Sequence, residues 1–487
     1  MKKLFLLILI LASLQSLGQK QGNIWYFGDH AGLDFSSGNP IPLYNGAIFI
    51  DTTMWGHYGE GTSAISDSAG NLLFYTDGER VWNNLHQIMP NGDSLLGHWS
   101  STQSSLIVPL PGSQRFFYLF TTDAFIQPDF LKNGFRYNVI DMCLDNGRGD
   151  IVSNEKNIKL VDTVAEKLIG VRHQNGNDYW IVTHKFFSNK FYSFRLSSGG
   201  LVDTIISSVG SIHQDSCTLN YPDGAIGQLK SSPDGTKLAL AKGNTCNDFV
   251  ELFDFDNSTG IVSNPIRLLS DSTFINFYGV SFSPDNNKLY IGELIATSGD
   301  KIFQFDLTLG SAQSIINSKT VIASSVNVAN FFKSFQLAPN GKIYIALNHR
   351  DYLSAIDYPN NPGLSCNFND TAVSLGGRFC SYGLPNFIDS YSYSNNLIDC
   401  GEGFVEENNI HLSIYPNPAQ DELTVEVLNG IAPREIEIVN ALGVQGLKLK
   451  IQRPNTQVNI HSFPVGIYFV KVKMNDGSIQ VMKFVKQ

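Results

Sequence analysis

The chain has 487 residues, 43% of them hydrophobic and only 16% charged, so it can bury a large core and is no disordered polymer. Its net charge of −10 is uneven: residues 410–487 and the first 18 are each about +2, which leaves the body near −14. That acidic body lacks the basic footprint a nucleic-acid partner needs. Aromatic residues at 12% and 43 glycines suit an all-β chain with many turns.

At the start, Lys2 and Lys3 precede the apolar run 4–12, followed by the small residues Ser16 and Gly18. This is the layout of a secretory signal peptide, residues 1–18, that is removed on export. The run is too short to cross a bilayer, and no later stretch reaches 18 apolar residues, so no transmembrane segment is expected in the mature protein. No cysteine stands near the cleavage point to carry a lipid anchor.

From residue 23 to 393 one plan recurs. It is plainest at 231–241, SSPDGTKLALA, where two strands flank a Pro-Asp-Gly turn. It returns as SFSPDNNKLYIGE and LAPNGKIYIAL, with Lys237, Lys288 and Lys342 in the same place. Earlier units have turns at Gly70-Asn71, Pro111-Gly112 and Asn175-Gly176, which puts Leu72, Phe116, Tyr179, Leu238, Leu289 and Ile343 in equivalent positions 44 to 63 residues apart. Short strands at such a period predict a β-propeller, one repeat per four-stranded blade. Six units are complete. The stretch 24–35 and the fragment YGLPNFIDSYSY from Tyr382 are expected to join in one closing blade, making seven; six is the alternative. Residues 394–409 read as a polar linker, and 410–487 hold about seven short strands, the pattern of a small Ig-like β-sandwich.

In an exported chain the six cysteines become disulfide candidates. Cys217 with Cys246, and Cys366 with Cys380, are near enough in sequence to staple local loops, although six cysteines allow fifteen pairings. No G-x-S-x-G, HExxH, Walker or GxGxxG motif occurs, so no catalytic residue, metal site or cofactor is assigned. Asp254, Asp256 and Asn257 miss the spacing of a calcium loop. Trp55 and Trp99, in Gly- or Ser-rich loop text with His57 and His98 beside them, are the ligand candidates, because an exposed indole can stack on a sugar ring.

Two resemblances extend this reading. Tyr415-Pro416-Asn417-Pro418, the IEIVNALG run, Pro464-Val465-Gly466-Ile467-Tyr468 and the Lys-rich ending resemble the type A C-terminal sorting domain of type IX secretion substrates in Bacteroidetes. The resemblance implies a type IX translocon as partner, delivery to the cell surface or medium through the periplasm, and removal of the domain. IWYFGDHAGLDF, GNLLFYTDG and VELFDFDNSTG resemble the WD40-like propellers of exported Bacteroidetes proteins, and S-P-D-G-x-K-L resembles TolB-type blades. The expected function is an exported propeller that binds a glycan or protein partner; the alternative is a polysaccharide-active or other hydrolase or lyase with its site at the channel mouth.

Overall fold

In the computed structural model of the chain, residues 20–49, 59–126, 130–214, 224–243, 247–271, 276–294, 299–325, 332–390, 398, 400, 411–428, 433–440, 445–451, 453, 455–475 and 479–487 are described. They form two compact units, Met1–Cys400 and Gly401–Gln487.

The described residues of the first unit build seven antiparallel sheets in chain order. The first consists of Ile24–Phe27, Ala31–Asp34 and Ile41–Leu43, and the second of Ser63–Ser66, Leu72–Thr76 and Val81–Asn83. The third begins with Ser105–Pro109, Phe116–Thr122 and Phe135–Asp141 and adds two short strands against the last of these. The fourth to seventh have four strands each, and their innermost strands are Val164–Arg172, Leu229–Ser231, Asn276–Phe282 and Phe332–Leu337. The six equivalent positions read from the sequence all fall at the start of the second strand of sheets two to seven.

The recurring lysine has a physical reason. Lys237, Lys288 and Lys342 each sit just after the hairpin turn, opposite the aspartate at the end of the third strand, and bond it: Asp254 at 2.9 Å, Asp306 at 2.9 Å and Asp357 at 2.7 Å. The turn residues also bond one another, with the Ser232 hydroxyl donating to Asp234 at 2.5 Å and Ser283 to Asp285 at 2.6 Å. Gly235 at φ +69° occupies the left-handed region that this turn requires.

Buried clusters weld each sheet to the next. Leu106, Phe120 and Phe135 meet Leu168, Ile181 and Phe194, and Val171 and Val182 meet Leu238 and Leu240. The series closes on itself, because Trp25, Phe27, Leu33 and Phe35 of the first sheet share one cluster with Phe335, Ile343 and Leu353 of the seventh. A closed ring of radially packed sheets is a β-propeller.

The closing blade differs from expectation. The first sheet is built from residues 24–43 alone, and Tyr382–Ser390 instead runs through the middle of the ring. It lies parallel to the inner strand of the second sheet, with Thr62 bridged to Pro385 and the Asn386 N–H donating to the Thr62 carbonyl at 2.8 Å. Its side chains radiate to nearly every sheet. Leu384 joins the first–seventh cluster, Ile388 the third–fourth cluster, and Phe387 stacks on Trp25. The Asn386 amide donates to the carbonyls of Ser105 at 3.2 Å and Leu168 at 2.8 Å, and Asp389 accepts from Gln336 at 2.9 Å. A segment with buried groups on every side cannot serve as a blade strand, which has one neighbour on each edge and alternating faces. Only the axis satisfies it.

Past the axis, Ile398 packs on the second–third cluster and Cys400 forms a disulfide with Cys143, 257 residues away. The disulfide expectation is therefore corrected at one pair: Cys366 and Cys380 are buried free thiols in the cluster shared by the first and seventh sheets. Cys217 and Cys246 lie outside the described residues.

The second unit is a two-layer sandwich. His411–Tyr415, Glu422–Leu428 and Asn455–Asn459 face a sheet ordered Gln445–Lys450, Pro433–Asn440, Gly466–Met474 and Ile479–Lys486. Leu423, Val425, Ile436, Ile438, Val470, Val472 and Phe484 fill the space between.

At Gly383 a Cβ would stand 1.2 Å from the Glu60 carbonyl oxygen. Gly383→Ala is expected to destabilise the propeller by more than about 4 kcal/mol, the range of severe steric and backbone lesions, and Asn386→Ala by about 2–4 kcal/mol through buried groups left unpaired. Urea unfolding of both variants checks this, and a near-native midpoint for Gly383→Ala contradicts the axial threading.

Candidate functional site

The inner strands all begin at one end of the ring, and the segments just before them are laced together there. Glu60 N–H donates to Trp99 O at 2.9 Å, Gly61 N–H to Ser101 O at 2.8 Å, Ser334 N–H to Tyr382 O at 3.0 Å and Tyr382 N–H to Gly59 O at 3.1 Å. This lacing brings together acids, bases and aromatic rings that lie far apart in sequence.

At the mouth, His98 and Trp99 stack with ring centroids 5.2 Å apart, and His98 Nε2 lies 3.8 Å from Glu79 Oε1. Trp99 is half-buried, and the His98 and Glu79 side chains are about one-quarter exposed. Burial, then the neighbouring Asp77 charge, pushes the Glu79 carboxyl up to about 7, while burial pulls His98 down to about 4. Near neutral pH the contact is thus between a carboxyl that readily gains and loses a proton and an uncharged imidazole. Asp77, buried beside them, accepts the N–H groups of Glu79 and Arg80 and fixes the turn.

Below the mouth lies a closed polar cluster. Glu60 accepts the Tyr278 hydroxyl at 2.6 Å, and Glu166 accepts Thr102 N–H at 2.8 Å, the Thr102 hydroxyl at 2.9 Å and Phe125 N–H at 2.7 Å. Burial and the Glu166 charge drive Glu60 up to about 8. Burial lowers Lys333 to about 8; its ammonium sits 4.0 Å from the Tyr382 ring centroid and 5.0 Å from that of Tyr278. Lys167, also fully buried and lowered to about 7, donates to the carbonyls of Ala225, Ile226 and Gly227 at 2.8–3.0 Å. These groups are sealed from solvent, and their bonds are internal. They hold the ends of the inner strands and shape the mouth above them.

Of the ligand candidates from sequence, the structure brings His98 and Trp99 into one group at this mouth; Trp55 and His57 lie outside the described residues. From sequence, Asp77 and Glu79 stand with His98 and other histidines only as possible channel-lining groups, more in keeping with ordinary turn text; the tertiary lacing sets Glu79 beside residue 98. Among the described residues no cluster of three or more His, Cys, Asp or Glu could hold a metal, and no helix is long and apolar enough to cross a membrane.

In the sandwich, the sorting-motif residues form a structural clasp. Tyr415-Pro416 and Asn417-Pro418 are cis. Asn417 donates to Lys483 O at 3.1 Å and accepts Val485 N–H at 2.9 Å, tying the exit of the first strand to the last strand. Tyr468, preceded by the half-buried Gly466, is buried and donates to Pro464 O at 2.9 Å.

The first unit is a β-propeller and the second a small domain of export. Residues 413–487 match the family described as the secretion system C-terminal sorting domain. The chain therefore carries the address of a type IX secretion substrate bound for the cell surface or extracellular space. No curated protein matches the chain in sequence. Among solved structures it is similar to a protein from Lactobacillus plantarum (TM-score 0.42, 13% identity, 75% of this chain and 99% of that one). Others are the periplasmic gluconolactonase of Pseudomonas aeruginosa (0.34, 13%, 63% and 94%) and TolB from Acinetobacter baumannii (0.32, 12%, 69% and 69%).

Two outcomes follow. Deleting residues 410–487 is expected to abolish surface delivery while the remaining chain keeps its thermal transition; cell fractionation with a melt of the truncated protein checks both. The second concerns His184 and His213, whose rings stack at 3.8 Å with both Nδ1 atoms unpartnered among the described residues. Burial lowers His184 to about 3 against an ordinary 6.5, so the unfolded chain takes up the proton first. Stability that depends on neutral His184 is complete above pH 6.5 and is lost as the pH falls toward 3. His184→Phe should therefore flatten the fall in melting temperature between pH 6.5 and 4; an unchanged slope contradicts the assignment.

Proposed function

We propose that this chain is an exported, seven-bladed propeller whose strand-start mouth binds a glycan, with the N-terminal 18 residues acting as a removable signal peptide. The observation that carries the reading is the juxtaposition of the half-exposed Trp99 ring with the His98 imidazole and the Glu79 carboxyl. A pyranose presents an apolar face and a rim of hydroxyls. An indole takes the face, while a carboxyl and a neutral imidazole exchange hydrogen bonds with the rim. The ring of sheets supplies rigidity, and loops from different sheets supply the contacts.

A second reading, a glycan-cleaving hydrolase, draws on the Glu79 carboxyl at about 7, a value suited to a general acid. It further requires a second, ionised carboxylate across the mouth.

Glycan-array screening of the secreted chain, followed by titration calorimetry on the best oligosaccharide, tests the binding reading. Trp99→Ala should weaken binding at least ten-fold, and Glu79→Gln several-fold with loss of pH dependence around 7. Binding that ignores both substitutions, or no glycan above background, counts against it. Release of reducing ends that Glu79→Gln abolishes would favour the hydrolase.

A further inference from the structure

The Pro-Asp-Gly motif that defines the repeats has a second consequence at the opposite end of the ring, away from Trp99. There the hairpin turns of sheets five, six and seven converge, and Pro233, Pro284 and Pro339 line a cavity of about 440 Å³ together with Phe387 and Asp389 of the axial segment. This volume lies in the range of small-ligand sites. Three proline rings, Phe387 and aliphatic side chains make up the apolar part of its walls. Its polar lining is mostly spent: the Asn386 amide donates to two strand carbonyls, and the Asn340 amide donates to the Tyr344 hydroxyl.

Gln21 and Asp389 also line it, and Asp389 brings the charge. Its side chain is only 6% exposed, and Oδ1 accepts from Gln336 at 2.9 Å. Among the described residues Oδ2 is met only by the ion pair with Lys230 Nζ at 3.8 Å, an ammonium that is itself buried and donates to Gln336 at 2.5 Å. A carboxylate oxygen that lines a cavity and is met only by a long ion pair keeps lone pairs that a ligand donor can reach. Charge narrows the class of ligand. Lys230 already balances Asp389, so an added cation meets the ammonium and an added anion meets the carboxylate. Only an uncharged donor gains.

We propose that this hairpin-face cavity is a binding site for a small, uncharged ligand with an apolar ring and one hydroxyl or amide donor, the ring seated among the prolines and Phe387 and the donor bonded to Asp389 Oδ2. The site is independent of the glycan mouth: the axial segment enters the ring beside Gly59 at the one and ends at the other.

Three probes with one ring and different heads test it on the full secreted chain: benzyl alcohol, benzylamine and benzoate, compared by ligand-observed NMR titration. Benzyl alcohol should bind at least five-fold more tightly than either charged probe. Pro284→Trp, on a half-buried hairpin turn, should block it by filling the cavity, with an unchanged melting temperature showing that the fold is kept. Asp389→Asn, which leaves Lys230 unbalanced, should weaken benzyl alcohol and shift preference toward benzoate. Equal binding of the three probes, no binding of benzyl alcohol, or binding untouched by Pro284→Trp overturns the proposal. Because Trp99 takes no part, glycan affinity in Pro284→Trp separates failure here from failure of the mouth assignment.

Discussion

Sheets packed radially around an axis leave a column of inner-strand N–H and C=O groups facing a space too narrow for bulk water, and each group left unpaired there costs free energy. The chain meets this constraint with its own residues. Asn386 on the axial segment and Gln103 and Gln228 on the walls act as amide bridges between strands that cannot reach one another. Gln103 exchanges bonds with both the N–H and the C=O of Leu229, at 2.8 and 3.0 Å, and Gln228 accepts Phe335 N–H at 2.9 Å. Without this polar spine the seven sheets would enclose a wet, poorly determined channel. With it, the radial order of the sheets is fixed from the inside.

The two ends of the axis differ because this spine ends differently at each. At the strand-start end the last partners are titratable, and Glu60, Glu166, Lys333 and Lys167 occupy a sealed layer in which burial holds acids up and amines down. That layer positions the Trp99–His98–Glu79 group without being open itself. At the hairpin end the last charged partner is Asp389, paired with Lys230. One end thus offers an aromatic and acidic rim, and the other a smaller cavity walled by prolines.

The repeats were legible from sequence because each carries its own local chemistry: a turn with proline or glycine, a serine and aspartate that bond within it, and a lysine that meets an aspartate across the hairpin. The sorting domain was legible through its Tyr-Pro-Asn-Pro clasp. The axial segment was not. YGLPNFIDSY has the aromatic content of a blade strand, and nothing local distinguishes a strand that lies in a sheet from one that replaces solvent on an axis. The same limit hid the pairing of Glu79 with His98 and the Cys143–Cys400 bond, since both depend on contacts between residues distant in the chain. Trp99 and His98 were visible because an indole in Ser-rich loop text is unusual wherever the loop lies.

The Cys143–Cys400 bond also sets the route by which tension travels. Along the chain Cys400 stands between the axial strand that holds the ring together and the sorting domain matched at 413–487. A pull applied to the C-terminal domain, as a translocation machine or a surface attachment applies it, reaches Cys400 first and passes across the disulfide into the third sheet. The hydrogen-bonded spine is thereby shunted out of the force path. With both sulfurs reduced, that covalent bypass is gone and the chain from Cys400 leads straight back to the axial strand.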